Sequence, residues 1–361
     1  MAPIAFGFVD LREYFKHRIV DVPGLQRKVS EAIDRTTAQH NEEANRFIQN
    51  FATPVTVAKE RYIMPGGGTM QSIREDDNPL PTVTYKGNDV GYPIRGAGDA
   101  MADNRVSRQF ITVEDANDMM QETRIKDKNW LIDHILAASF TNAEYPYEDL
   151  PFRGLSGAGN ITVKPLANGD GDTYLANRGR SVKTDNHYFA QVEAISSAFN
   201  PLPMLRRALT EHGPNPDASV IVYVAPDLVS DIENLPGFVE RTDPQLVYGA
   251  NRDRLSSVPD RGVGDEVIGR VDRCWIVEAE RLPDGYMFAH LQDMTFLGQR
   301  EYGATPLRGL FKEENNVDGN HKEVRHLRFT GFGCRNRVGA AAMQIGAATY
   351  NAPDAYTAPL P

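Results

Sequence analysis

TVEDANDMMQETRIKDKNWLIDHILAASF, residues 112–140, is the stretch on which the reading of this chain turns. Thr112 can cap a helix, and Glu114 and Asp115 put negative charge on the first turn, where the macrodipole favours it. Val113, Ala116, Met119, Met120, Thr123, Trp130, Leu131, Ala137 and Ala138 recur at helical spacing and form one stripe. Glu114, Asp118, Gln121, Glu122, Lys128 and Asn129 lie opposite, and Glu122 with Lys126 makes a four-apart ion pair. In the last three turns Ile132, Leu136 and Phe140 occupy what had been the polar face. A helix that is apolar all round is buried. The spacing predicts a rod about 40 Å long, its first half on a surface and its second half in a core. His134 falls on the apolar stripe and reads as a core histidine. Such a rod suits a flat, elongated subunit better than a compact domain.

Before the rod, Pro23 opens another helical pattern: Leu25, Val29, Ala32, Ile33, Ala44, Phe47, Ile48 and Phe51. It is read as an amphipathic arm laid on something, a neighbouring chain included. Residues 52–111 read as a long hairpin-like excursion. Val55, Val57, Tyr62 and Ile63 mark one strand and Val83 and Tyr85 another. Turn chemistry is heavy there: Pro65-Gly66-Gly67-Gly68, then Asp76-Asp77-Asn78-Pro79. So few apolar residues cannot build a core, so the segment is expected to be disordered or laid over a partner.

After the rod, helices are predicted over 188–199, 203–212 and 226–234. Val220-Ile221-Val222-Tyr223-Val224 is a continuous apolar run, the mark of a strand buried on both faces. Strands are predicted over 267–277, 285–290, 294–300, 323–332 and 338–345. The mixture is α+β.

Composition narrows the function classes. Of 361 residues, 41% are hydrophobic, and Gly 30 and Pro 23 are somewhat plentiful. Mean hydropathy is −0.45. The net charge of −10 argues against a general nucleic-acid binder, whose footprint is basic. No apolar run nears the length of a membrane span, and the N-terminus lacks a signal-peptide pattern. Cys274 and Cys334 lie far apart and read as buried thiols of a protein made inside a cell.

Motif searches fail in instructive ways. Gly66-Gly67-Gly68-Thr69 lacks the Gly-Lys-Ser/Thr end of a phosphate loop. Gly96-Ala97-Gly98 and Gly262-Val263-Gly264 lack the third glycine and following helix of a dinucleotide site. Asn168-Gly169-Asp170-Gly171-Asp172 starts like a calcium loop, but Thr173 and Gly179 stand where Gly and Glu are needed. Gly154-Leu155-Ser156-Gly157-Ala158 misses the last glycine of a nucleophile elbow. His321 and His326 are a poor zinc pair without further ligands. The expectation is no catalytic residue, no cofactor and no metal. One basic cluster stands out: Lys322, Arg325, Arg328, Arg335 and Arg337. On a strand Arg328 alternates with Leu327 and Phe329, giving one charged and one packed face. Given the net acidity, these five are the expected inter-subunit contacts.

The order of elements (arm, extended loop, long helix, α/β region, returning strands) resembles the major capsid protein of tailed bacteriophages, the Hong Kong 97-type fold. VIVYVAPDLVSDIENLPGF (220–238), VIGRVDRCWIVEAERLPDGYMFAH (267–290) and VRHLRFTGFGCRNRVGAAAMQI (324–345) carry the local likeness. The resemblance implies an N-terminal arm at 1–51 and an extended loop at 52–111. It implies a peripheral domain at 112–187 and 291–334 with a spine helix over 112–140, and an axial domain at 188–290 and 335–361. It also implies a non-enzymatic shell protein that assembles with itself as pentamers and hexamers around double-stranded DNA. Scaffolding, portal and decoration proteins would be its other partners. DNA contacts would be without sequence specificity and no membrane is involved. The place would be the virion capsid, assembled in the host cytoplasm. Lys59, Lys86 and Asn336 are residue types that some members join by an isopeptide bond. Two alternatives stand beside this reading: an encapsulin-type compartment shell, and a β-rich enzyme or carbohydrate-binding protein.

Overall fold

The computed structural model describes residues 11–62, 88–104, 109–148, 160–176, 181–212, 215, 217–241, 266–303, 305–316 and 321–360. Val83, Tyr85, Lys86 and the motifs at 65–69, 76–79, 154–158 and 262–264 lie outside them. In chain order the first elements are α1 (Leu25–Gln49), β1 (Ala52–Val55), β2 (Lys59–Tyr62), β3 (Asn88–Gly91), β4 (Arg95–Asn104) and α2 (Val113–Phe140). There follow β5 (Tyr145–Glu148), β6 (Asn160–Val163), β7 (Tyr174–Ala176), β8 (Ser181–Lys183), β9 (Tyr188–Gln191), α3 (Leu202–His212), β10 (Val220–Val224) and α4 (Val229–Glu233). The last are β11 (Phe238–Glu240), β12 (Glu266–Val271), β13 (Cys274–Glu278), β14 (Tyr286–Leu291), β15 (Leu297–Glu301), β16 (Leu310–Asn316), β17 (His321–Cys334) and β18 (Ala340–Ile345).

Two sheets carry the architecture. The seven-stranded one runs β11-β12-β13-β10-β14-β18-β9. Its β10 is buried along its whole length, and side-chain alternation feeds two cores. Val220, Val222 and Val224 pack with Leu205 and Leu209 of α3 and Ile232 of α4. Ile221 and Tyr223 pack with Leu131, Ile135 and Phe140 of α2. Burying each such side chain contributes roughly 1.5–3 kcal/mol. In the five-stranded sheet β1, β15, β16 and β4 gather around the long β17. Over residues 322–328 β17 is paired by both β16 and β4, and over 330–334 by β15.

The long helix starts as its sequence requires, with a reciprocal capping box between Thr112 and Asp115. Glu122 and Lys126 pair at 2.9 Å. Burial changes at Leu131: before it lies one buried line, Val113, Asn117, Met120, Thr123 and Asp127, and after it most positions are buried. The line keeps Val113, Met120 and Thr123 of the expected stripe but runs through Asn117 and Asp127 in place of Ala116 and Met119, so Met119 is 39% exposed and the two polar residues are buried. His134 is a core histidine. Its Nδ1 bonds the Trp130 carbonyl at 2.9 Å, and burial lowers its pKa to about 4.

Several expectations change. The α1 stripe is covered by this chain's own α2, β16 and β1. The excursion at 52–111 is rooted in its own subunit. β1 pairs β15, β4 pairs ten residues of β17, and Val90, Tyr92 and Ile94 are buried. Residues 188–199 are not a helix, because Tyr188–Gln191 adds a parallel strand to β18. The stretch 267–277 divides into β12 and β13 at Asp272, whose φ of 56° makes the turn.

Candidate functional site

The basic cluster resolves into separate sites, and two of its members turn inward. On β17 the expected faces are exchanged. His326, Arg328 and Thr330 are the buried positions beneath α1 and α2, while Leu327 and Phe329 are half-buried on the other face. Phe329 stacks with Phe311 and meets Tyr302 edge-on. The reason is the partner that α2 supplies. Arg328 Nε and Nη2 donate to Asp127 at 2.6 and 2.8 Å, and Nη2 also donates to Asn41 at 3.1 Å. His40 Nε2 donates to the same carboxylate at 2.7 Å. Burial pushes the Asp127 carboxyl up, but the His40 hydrogen bond and the Arg328 guanidinium outweigh it and hold the pKa below the usual range. One carboxylate thus locks α1, α2 and β17 together. The opposite face is close-packed against β4. A Cβ at Gly96 or Gly98 would come within 2.8 Å of the Phe329 ring or 2.7 Å of Leu327.

Arg337 is also spent inside the chain. It is 1% exposed and donates to the carbonyls of Pro165 and Leu166 and to Asp170, Asp172 and Asn168. This explains the false calcium loop. Gly169 and Gly171 take the positive φ of a tight turn, and the guanidinium sits where a cation would be held. The inter-subunit expectation for Arg328 and Arg337 therefore gives way: each is a buried cation held by carboxylates of its own chain, as a buried charge must be.

Arg335 sits at the root of the excursion. Its Nε donates to Glu60 at 2.8 Å, its guanidinium lies 5.1 Å from the Tyr62 ring, and Tyr92 donates to the same Glu60 at 2.5 Å. Arg325 is half-buried and Lys322 pairs with Asn316 and Asp103 in the backbone register. Asn336 is 1% exposed, so its amide is not presented for cross-linking.

These arrangements position elements. Cys274 and Cys334 are buried, with thiols pushed up to about 12 by burial, which keeps them protonated and inert. What faces outward is apolar in places. Phe110, Ile125 and Met119 are 58%, 59% and 39% exposed. No described helix is long and apolar enough to cross a membrane.

No protein-family model matches the sequence, and no curated protein matches it. Solved structures do. One from Mycobacterium phage Patience is 22% identical, covers 91% of this chain and 90% of its own, and superposes with a TM-score of 0.64. A capsid of a native GTA particle (13% identity, 84% and 91% covered, TM-score 0.47) and an encapsulin complex from Synechococcus elongatus (8%, 85% and 89%, 0.44) are more distant and carry no argument. Over nine-tenths of its length this chain has the α+β fold of the Patience structure, the Hong Kong 97-type fold.

Proposed function

We propose that the chain is a shell-forming capsid protein of a tailed phage. It assembles as pentamers and hexamers into an icosahedral container for double-stranded DNA. The observation that carries this is the near-complete, end-to-end likeness to the phage structure, with a TM-score of 0.64. The chemistry agrees in kind: its arginine clusters serve as ties and its cysteines are inert, so the reading is of a structural protein and not an enzyme.

In this reading residues 1–51 form the arm and 52–111 the extended loop. Residues 112–187 with 291–334 form the peripheral domain, and 188–290 with 335–361 the axial domain. β1, β3 and β4 hold the loop's roots in the subunit's own structure, and residues 63–87 are the part assigned here to contact with a neighbour. Lys322 and Arg325 remain the basic inter-subunit contacts, and the half-buried Phe311, Leu327 and Phe329 offer the neighbour an apolar face. The acidic balance suits a wall that does not grip its genome. Scaffolding, portal and decoration proteins are its further partners, the virion its place, and the host cytoplasm its site of assembly.

The test uses the full chain, by light scattering and negative-stain microscopy. Tyr62 and Asn88 are register partners at the end of the β2–β3 pair, so residues 63–87 can be replaced by a short Gly-Ser turn. The parent chain should form closed shells. The shortened chain should keep its circular-dichroism spectrum and fail to close. A parent that stays monomeric at high concentration, or forms particles holding a cargo enzyme and no genome, overturns the proposal.

A further inference from the structure

Asp185, His187 and His212 bring three metal-ligand atoms within 4.8 Å of one another, a grouping made by tertiary structure alone. Asp185 and His187 lie on the segment between β8 and β9, and His212 is the last residue of α3. Both imidazoles are fully buried at their side chains, and Asp185 is 16% exposed. His212 Nε2 lies 2.6 Å from Asp185 Oδ2, and His187 Nε2 lies 4.0 Å from the same oxygen.

The second nitrogens decide what these rings can do. His187 Nδ1 bonds the Ala340 carbonyl at 2.8 Å, and His212 Nδ1 bonds the Leu175 carbonyl at 3.0 Å. A carbonyl accepts, so each Nδ1 carries the proton and each Nε2 points its ligating side at the carboxylate. Backbone carbonyls behind both imidazoles are the support that metal-bound histidines have. His187 Nε2 is a buried polar atom with no hydrogen-bond partner. A group so placed is destabilising unless something satisfies it.

We propose that Asp185, His187 and His212 bind a divalent metal ion of the zinc class, which pins the end of α3 to the segment entering β9. Metal–ligand bonds of about 2.0–2.1 Å in a tetrahedron put ligand atoms roughly 3.3 Å apart. The separations of 2.6 and 4.0 Å from Asp185 Oδ2 lie on either side of that distance, and all three ligand atoms lie within 4.8 Å of one another, so side-chain shifts of about 1–1.5 Å close the site. The ion enters from the side of Asp185, displacing the proton held between His212 Nε2 and the carboxylate, which leaves to solvent. Glu211 Oε1, 3.6 Å from His212 Nε2, is within reach as a fourth ligand. Lys183 bonds Glu211 at 2.8 Å and lies 3.7 Å from Asp185. It balances the two carboxylates when no ion is present and can swing outward from its exposed position. The oxygen and two imidazole donors suit zinc better than calcium or magnesium, which prefer all-oxygen sites. The inference stands apart from the capsid reading and survives its failure. It also reverses the expectation of no metal.

The experiment titrates metal-free full-length protein with Co2+ and then with Zn2+. One equivalent of Co2+ should bind with the intense visible absorption of tetrahedral coordination, and Zn2+ should abolish it. Asp185→Asn and His212→Gln, checked for fold by circular dichroism, should weaken binding by about 10- to 100-fold or more. Zn2+ should raise the melting temperature of the parent and a chelator should reverse this. If either variant folds poorly, the parent's absorption band and melting shift decide the matter alone. Absence of both overturns the proposal, as does binding that the variants leave unchanged.

Discussion

At the centre of the seven-stranded sheet, β10 buries Val220, Ile221, Val222, Tyr223 and Val224 and contributes no charge to either core. At the centre of the five-stranded sheet, β17 buries His326, Arg328 and Thr330 against the helices. The first sheet is held by area and close packing, terms that need only apolar residues of the right size. The second is held at named points, where one guanidinium needs one carboxylate at the right distance. Such a pair adds little net stability over an apolar replacement, but leaving half of it is costly. The difference teaches where each sheet is fragile: the apolar one everywhere to charge, the polar one at single atoms.

Putting charge into the apolar sheet should be the most damaging change. Val222→Asp strands a carboxylate with no partner and is expected to cost more than about 4 kcal/mol. The readout is loss of soluble, cooperatively melting protein. A well-folded variant would show that β10 is less enclosed than its packing implies.

Next comes the Asp127–Arg328 tie. Asp127→Ala leaves a buried guanidinium and should cost about 3–5 kcal/mol in denaturant unfolding. The triple change Asp127→Leu, Arg328→Met and His40→Leu, which removes every partner of the buried carboxylate together with it, should recover to within about 2 kcal/mol of the parent. A triple variant as weak as the single one would mean that the tie contributes real stability, and the contrast between the sheets would narrow.

Acid separates the regions more gently. His134 is neutral in the fold, with its pKa lowered from 6.5 to about 4. The unfolded chain binds a proton there first, so stability falls as pH drops from about 6.5 to about 4, by up to about 3 kcal/mol. His134→Gln should remove its share of that loss and leave the part owed to His187 and His326, whose pKa values burial also lowers. Asp127 adds a separate loss below pH ~4, because its carboxylate is favoured in the fold and stability disappears as pH falls through its lowered pKa. Unfolding midpoints against pH would show both steps.

The smallest effect belongs to an exposed pair on α1. Glu31 and Arg35 meet at 2.6 Å with both side chains about half exposed. Glu31→Ala should change stability by less than about 0.5 kcal/mol. A larger loss would mean that surface and buried pairs here differ less than their burial indicates.

Much of the apolar half was readable along the chain. The VIVYV run and the change of character in residues 112–140 are local patterns, and local patterns are what periodicity detects. The capping box at Thr112 and the Glu122–Lys126 pair are set by residues three and four apart. The polar half was less readable. β16 reads LFKEENN, and β4 is built on Arg95-Gly96-Ala97-Gly98, so neither carries a strand's composition. Both form because β17 offers edges and because Gly96 and Gly98 leave room for Phe329 and Leu327. For β17 the period of two was evident, yet which face is buried depends on Asp127, some 200 positions away.

The sequence by itself determined the α+β class, the long rod and where it dives into the core, the doubly buried strand, and the absence of the common phosphate and dinucleotide fingerprints. Each follows from the order of neighbouring residues. Only the tertiary structure decided that Arg328 and Arg337 turn inward, that the excursion is rooted in its own sheet, and that Asp185, His187 and His212 meet. The physical reason is common to all three. A charge or a ligand atom has meaning only with its partner at hydrogen-bonding distance, and those partners lie tens to hundreds of residues apart. Burial of apolar area needs no particular partner, so it is written locally.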